Sequence, residues 1–249
     1  MIKVVLLGAG NVGTHLCRAL KNKEGLKLVQ WYNRSLNSLE KESTAIAVTQ
    51  DLNDIVDADL YIISVSDSAI PAISKVLEGK NGLIAHTAGS IPMEVLGGHK
   101  NHGVFYPLQT FSKQKEVDFS QIPLCLEANL SENLNMLKKV AHAIDGPVHL
   151  INSAQRKALH VAAVFVNNFT NHLYTIGEEL CKAHKVPFSV LQPLIAETAD
   201  KIKHLPPSLA QTGPAVRGDQ KILDDHLQYL TQESHQKLYQ LISASIQQQ

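Results

Sequence analysis

Near the amino terminus, Gly8-Ala9-Gly10-Asn11-Val12-Gly13 has the spacing GxGxxG, directly after the apolar run Ile2–Leu7 and at the opening of a helix-patterned stretch. Each glycine has its own task there. Gly8 allows a tight turn, Gly10 lets the backbone approach a pyrophosphate, and Gly13 permits close helix–strand packing. Asn11 and Val12 then lie at a helix N-terminus, whose free N–H groups face negative charge. A loop of this kind binds a dinucleotide, and what ends the second strand indicates which one. An acidic residue there would hold the ribose 2′-hydroxyl of NAD. Asn33-Arg34-Ser35 stands in that place instead. Arg34 can pair with a 2′-phosphate and stack on adenine, and Ser35 can add a hydrogen bond, so the pattern favours NADP(H) over NAD(H). The plainer alternative is that Arg34 is an ordinary solvated charge.

Two further loops leave the carboxyl ends of expected strands, where open α/β sheets bind ligands. Ser64-Val65-Ser66-Asp67 is built of small residues that let a cofactor ribose pass. Asp67 either touches the cofactor or caps the helix containing Ile70–Leu77. His86-Thr87-Ala88-Gly89-Ser90 is expected near the nicotinamide, with His86 either a contact to substrate or cofactor or a structural residue. Phe105–Phe111 is polar only at its tip, Gln109 and Thr110, which suits a pocket wall.

A polar stripe occurs farther on. At about 100° per residue, Arg156, His160, Asn167, Asn171, Tyr174 and Glu178 fall within roughly 60° of one another on a stretch rich in Val161, Phe165, Val166, Phe169, Leu173 and Ile176. Polar groups on a buried helix need partners or a ligand. The lower half of the stripe reads as a hydrogen-bond network or a dimer seam, and Arg156, His160 and Asn167 as the wall of an active site. The last local signal is Thr212-Gly213-Pro214-Ala215-Val216-Arg217-Gly218-Asp219, a rigid turn. On it Arg217 either grips a substrate carboxylate or phosphate, or pairs with Asp219 or a helix carboxyl end.

The elements that must carry these residues follow from hydropathy. Through residue 151, short apolar runs alternate with helical stretches, the pattern of a mostly parallel, Rossmann-type α/β sheet. Strands are expected at Ile2–Leu7, Lys27–Tyr32, Leu60–Val65 and Leu83–Thr87, more weakly at Val104–Tyr106, Pro123–Glu127 and Val148–Ile151, with a helix near Val12–Lys23. From residue 152 the texture is all-helical: one long helix from Ala154 to about Ala183, shorter proline-punctuated helices, and a closing amphipathic helix over Ile222–Ile246. The sequence thus predicts a nucleotide-binding domain over 1–151 and a helical substrate and dimerisation domain over 152–249.

Composition removes other classes. Of 249 residues, 23 are Lys or Arg and 23 Asp or Glu, and each half is balanced by itself, which argues against a nucleic-acid or membrane surface. Three cysteines without CxxC spacing fit a reducing compartment and no disulfide scaffold. The apolar N-terminus is too short and glycine-rich for a membrane span or signal segment, so a cytoplasmic location is expected. The 12 histidines show no metal-ligand spacing, and no metal is expected.

Together GAGNVG, NRS, HTAGS, FYPLQTFS and TGPAVRGD resemble, over nearly the whole chain, a family of bacterial Rossmann-like proteins. That family joins an NADP-oxidoreductase-like domain to an uncharacterised helical C-terminal domain, within the superfamily of 6-phosphogluconate dehydrogenase, pyrroline-5-carboxylate reductase and prephenate dehydrogenase. The resemblance implies cofactor on the first domain, substrate between the two, and often a site completed across a homodimer. Gly8, Gly10, Gly13, Asn33, Arg34 and Ser66 resemble cofactor contacts, and His86, His160, Asn167 and Arg217 lie where substrate-facing groups are expected. One feature departs: where β-hydroxyacid dehydrogenases of the superfamily place a lysine on the long helix, Lys157 is out of phase and His160 is the phase-matched residue. The expected activity is NADP(H)-dependent hydride transfer to or from a small carbonyl, imine or hydroxy acid, anionic substrates included. His160 would be the general acid/base, because imidazole ordinarily titrates near working pH. Asn167 would orient the reacting atom, Arg217 would hold an anion, and His86 and Gln109 would line the pocket. The alternative is an NADP(H)-binding sensor without turnover.

Overall fold

The computed structural model describes residues 1–35 and 46–248. It divides into two compact units, Met1–Asn167 and Asn168–Gln249. The first is built on an eight-stranded sheet: β1 (Ile2–Leu7), β2 (Leu26–Tyr32), β3 (Ala47–Thr49), β4 (Leu60–Ile63), β5 (Leu83–His86), β6 (His102–Pro107), β7 (Leu124–Ala128) and β8 (Val148–Leu150). The strand order is β3-β2-β1-β4-β5-β6-β7-β8, parallel throughout except for the antiparallel β6–β7 pair. It is a Rossmann-type sheet, and the order reverses between β1 and β4, which places the ligand crevice at their carboxyl ends.

Alternation along the strands explains the unbroken apolar runs. Val4 and Leu6 join Leu16, Trp31, Ile62 and Phe105 on one face, while Val5 and Leu7 join Tyr32, Tyr61, Ile63 and Ile84 on the other. With helices on both faces, the side chains of the central strands are interior over Val4–Leu7, Leu60–Ile63 and Leu83–His86. Helix α1 (Asn11–Leu20) follows β1, α2 (Ile70–Val76) follows β4 with Pro71 in its first turn, and α3 (Ser131–Ala143) joins the parallel pair β7 and β8. The edge strand β3 was not expected from the sequence; it is three residues long and largely exposed.

Helix α4 (Ser153–Ala163) begins after a capping box: the Asn152 side chain accepts from the Gln155 N–H, and the Gln155 side chain returns the bond. The helical domain was expected to begin at residue 152, but α4 clusters with the first unit. The expected single helix to Ala183 is not uniform. A π-helical segment, Val164–Phe169, separates α4 from α5 (Thr170–Ala183).

The second unit continues with α6 (Gln192–Lys201), α7 (Pro207–Ala210), α8 (Gln220–Tyr229) and α9 (Glu233–Gln247). The expected closing helix is therefore two. Leu230 leaves the helix with ψ near 122° and buries its side chain, and the Gln236 amide donates to the Leu227 and Leu230 carbonyls at 3.1 and 2.7 Å. Neither proline nor glycine marks that break. Among the described residues of this unit, only Ala215, Leu223 and Leu230 are buried apolar side chains. Val190, Leu194, Leu209 and Leu241 are 63–71% exposed. No helix among the described residues is long and apolar enough to cross a membrane.

Candidate functional site

A cleft of about 790 Å³ opens at the sheet's reversal point, and residues of the first unit line it. One end is the glycine loop. Gly8 has φ +111°, and a Cβ there would stand 2.0 Å from the Ser64 carbonyl oxygen. Gly13 is equally constrained, since its Cβ would meet the Gly8 oxygen at 2.2 Å. A Cβ on Gly10 would meet nothing within 4 Å. Gly10 is also the N-cap of α1 and offers no capping side chain, so the helix N-terminus faces open space with its N–H groups available. The residues therefore fit a pyrophosphate in the way the motif requires.

Two side chains hold this loop. The Trp31 indole N–H donates to the Gly8 carbonyl at 2.9 Å, and the Asn33 carboxamide oxygen accepts from the Ala9 N–H at 3.2 Å. Asn33 thus works on the loop, and its amide also donates to the Ser35 carbonyl at 3.0 Å. Arg34 is exposed and lines the cleft beside Asn33. Asn11, Val12, Ser64, Val65 and Ser66 are also lining residues. Gly13 and Ser35 are not among them: Gly13 packs against the loop behind the cleft, and Ser35 lies exposed past β2. Asp67 lines the cleft too; no side-chain bond from it caps the short turn before α2.

The other end is formed by Thr87, Ala88 and Gly89 after β5, by Tyr106, Pro107 and Gln109 at the end of β6, and by His160 on α4. The Tyr106 hydroxyl and His160 Nδ1 are 3.1 Å apart, a hydrogen bond. Burial pushes the Tyr106 phenol up to about 12, so it keeps its proton at neutral pH. Gly89 lies against both rings, since a Cβ on it would fall 2.4 Å from His160 Nδ1 and 2.9 Å from Tyr106 Cζ. The Tyr106–His160 pair is what the sequence reading missed: Tyr106 was read as mere wall. Its signal is strand alternation, which puts Tyr106 with Val104 and opposite the core residue Phe105.

The segment after β6 is strapped to α1. Asn11 Nδ2, His15 Nε2 and Arg18 donate to the successive carbonyls of Phe111, Ser112 and Lys113 at 2.9, 3.0 and 3.2 Å. Those three side chains share one helix face, and they fix the stretch that carries Gln109.

The remaining expected residues are placed elsewhere. His86 is fully buried and does not line the cleft. Its Nδ1 accepts from the Ala88 N–H at 3.2 Å. Burial, with the nearby Arg156 guanidinium, lowers its pKa to about 4, so it is a neutral structural residue and not the expected contact. Arg156 is likewise buried, 1% exposed, and is ion-paired with Glu127 beneath the wall. Asn167 sits half-buried in the π segment and is not a lining residue. Arg217 belongs to the second unit, exposed on the turn before α8, while the Asp219 carboxylate accepts from the Ile222 N–H and caps that helix.

Comparison with known proteins follows this geometry. The family described as a domain of unknown function, DUF2520, matches residues 122–246. A Bacteroides fragilis protein assigned as an NADP oxidoreductase is 45% identical, with a TM-score of 0.92 over 100% of this chain and 98% of its own. A Thermotoga maritima protein is 21% identical, with a TM-score of 0.74 over 98% and 97% of the two chains. The pyrroline carboxylate reductase of Plasmodium falciparum, solved with NADP bound, is 13% identical with a TM-score of 0.59 over 99% and 98%, a likeness of fold. No curated protein matches the sequence. Fold likeness apart, the family match is what places the sequence: the chain belongs to the DUF2520 family.

Proposed function

We propose that this protein is an NADP(H)-dependent oxidoreductase acting on a small carbonyl, imine or hydroxy acid. One observation carries the reading: a single cleft runs from an open glycine-loop helix N-terminus and Arg34 to a hydrogen-bonded tyrosine–histidine pair. The assignment of the Bacteroides relative and the bound NADP of the Plasmodium reductase support it. The cofactor, when bound, supplies the hydride chemistry.

The chain's own residues supply the rest. The N–H groups of α1 bind pyrophosphate, and Arg34 pairs with the 2′-phosphate. Thr87, Ala88 and Gly89 close one wall of the reacting end. Tyr106 alone is too weak an acid to give up its proton readily, but His160 stands behind it. When the reacting oxygen or nitrogen takes the Tyr106 proton, the imidazolium Nδ1–H passes to the phenol oxygen, and the pair ends neutral. In the oxidising direction the same two protons run back.

The same proposal includes a second copy of the chain. A helical unit with three buried apolar side chains among its described residues has too little core to stand alone, and an isologous partner would cover its exposed leucines and valines. Sedimentation at micromolar concentration should give about twice 27.3 kDa; a monomer would remove this part of the proposal.

The enzyme reading is tested by fluorescence titration with NADPH and then NADH, followed by NADPH consumption on a panel of oxoacids, imines and aldehydes. Tighter binding of NADPH with turnover of one class is expected. Binding without turnover on any of them points to the sensor, and no binding of either nucleotide refutes both.

A further inference from the structure

Beneath the wall of the cleft lies a buried polar group that the proton relay does not use. The Glu127 carboxylate on β7 receives three donors from the first turn of α4: the Ser153 N–H at 2.9 Å, the Ser153 hydroxyl at 2.8 Å and the Arg156 guanidinium. Arg156 also donates to the Ile91 carbonyl at 2.6 Å and to Ser153 Oγ at 3.1 Å, and Ser153 Oγ accepts from the Met93 N–H at 2.9 Å. Three segments therefore meet in one network, β7 and the start of α4 on the carboxylate itself and the loop from Gly89 to Met93 through Arg156 and Ser153.

An ion pair whose arginine is 1% and whose carboxylate is 14% exposed adds little net stability over apolar side chains of the same volume. What it does supply is fixed geometry. The carboxylate at the N-terminus of α4 is favoured by the helix dipole, and its donors set both the rotation and the height of that helix. His160 projects one turn beyond Arg156, on nearly the same face. The loop tied down through Ile91 and Met93 is the one whose Gly89 lies against the His160 ring. Both surfaces that bracket His160 are thus referred to a single anchor.

We infer that Glu127, through Arg156 and Ser153, is the positioning residue that holds His160 within hydrogen-bond reach of Tyr106. This rests on the relay proposed above, but the geometric claim can be read without turnover.

The test removes the anchor without leaving a lone buried charge. In the double variant Glu127→Gln/Arg156→Met both charges go, so the fold is expected to survive with a similar Tm. If Glu127 positions His160, kcat falls about 10- to 100-fold, as expected for a displacement near 1 Å, while the KM for NADPH stays put. A merely structural pair would leave kcat at the wild-type level in a folded variant, and that result overturns the inference. The second readout is the His160 ring nitrogen spectrum by NMR. In the double variant the Nδ1 resonance should move to its position in Tyr106→Phe, which lacks the hydrogen bond; an unchanged resonance overturns the inference even if no substrate has been found. Glu127→Asp, which keeps the charge but shortens the reach, is measured alongside. It should lie between wild type and the double variant in both readouts, and it replaces the double variant if that one does not fold.

Discussion

The Tyr106–His160 pair can be broken by one methyl group. Gly89 has an ordinary backbone conformation, so alanine there adds no backbone strain and changes only space. Its Cβ would lie 2.4 Å from His160 Nδ1 and 2.9 Å from Tyr106 Cζ, against an ordinary contact of 3.4 Å or more. The imidazole must therefore retreat by about 1 Å, since the methyl is fixed to the main chain and the ring is the part able to move. The 3.1 Å hydrogen bond then lengthens past the range in which such bonds count. Losing it, together with crowding, should cost about 1–3 kcal/mol of stability, a fall in Tm of about 2–4 °C per kcal/mol for a chain of this size. The effect on turnover should be larger, about 100-fold in kcat for a 1 Å misplacement of a proton-transferring group. NADPH affinity should barely change, because the phosphate end of the cleft is untouched. The assay is NADPH oxidation with the best substrate, alongside fluorescence titration and a thermal melt. A folded Gly89→Ala protein with wild-type kcat would show that the pair does not carry the proton.

Three other outcomes follow from the same geometry. His160→Ala should lower turnover by about 100-fold or more with NADPH binding nearly intact; wild-type rates would take His160 out of the mechanism. Arg34→Ala should weaken NADPH binding by about 10- to 100-fold, the worth of a charge-assisted contact, and leave NADH binding as it was; an equal loss for both nucleotides would refute the 2′-phosphate contact. The third concerns pH. The His86 imidazole falls to about 4 in the folded state, against an ordinary 6.5. Between those values the unfolded chain binds the extra proton, so this stabilisation is complete above pH 6.5 and is lost as the pH falls towards 4. The whole effect is about 3 kcal/mol, set by burial first and by Arg156 second, with the Pro92 backbone and then Glu127 opposing. Urea unfolding at pH 7 and pH 4.5 should show a steeper loss in wild type than in His86→Asn; equal losses would mean that His86 is not held neutral.

What the sequence disclosed and what it hid divide along the range of the interactions. The glycine loop was legible because its constraints are local: a positive φ at Gly8 and two contacts with no room for a Cβ. The strands were legible because a sheet covered on both faces must be apolar at every position, as Val4 through Leu7 are. The long-helix stripe was legible over one turn only. Arg156 and His160 both lie in α4, where 100° per residue holds, and both are polar for a reason, one as the partner of Glu127 and the other as the partner of Tyr106. Past Val164 each turn closes from i to i+5, so the phase assumed for Asn167 and everything after it drifts, and no residue type in Val164–Phe169 announces the change. Glu127 was the overlooked clue. A carboxylate between Leu126 and Ala128, in a strand whose first three residues are buried, calls for a cation, and Arg156 is the one buried residue of α4. Reading those two as one pair would have placed the start of α4 against β7. It would also have set Arg156 under the cleft wall and left His160, one turn on, as the member of the stripe that faces the cleft.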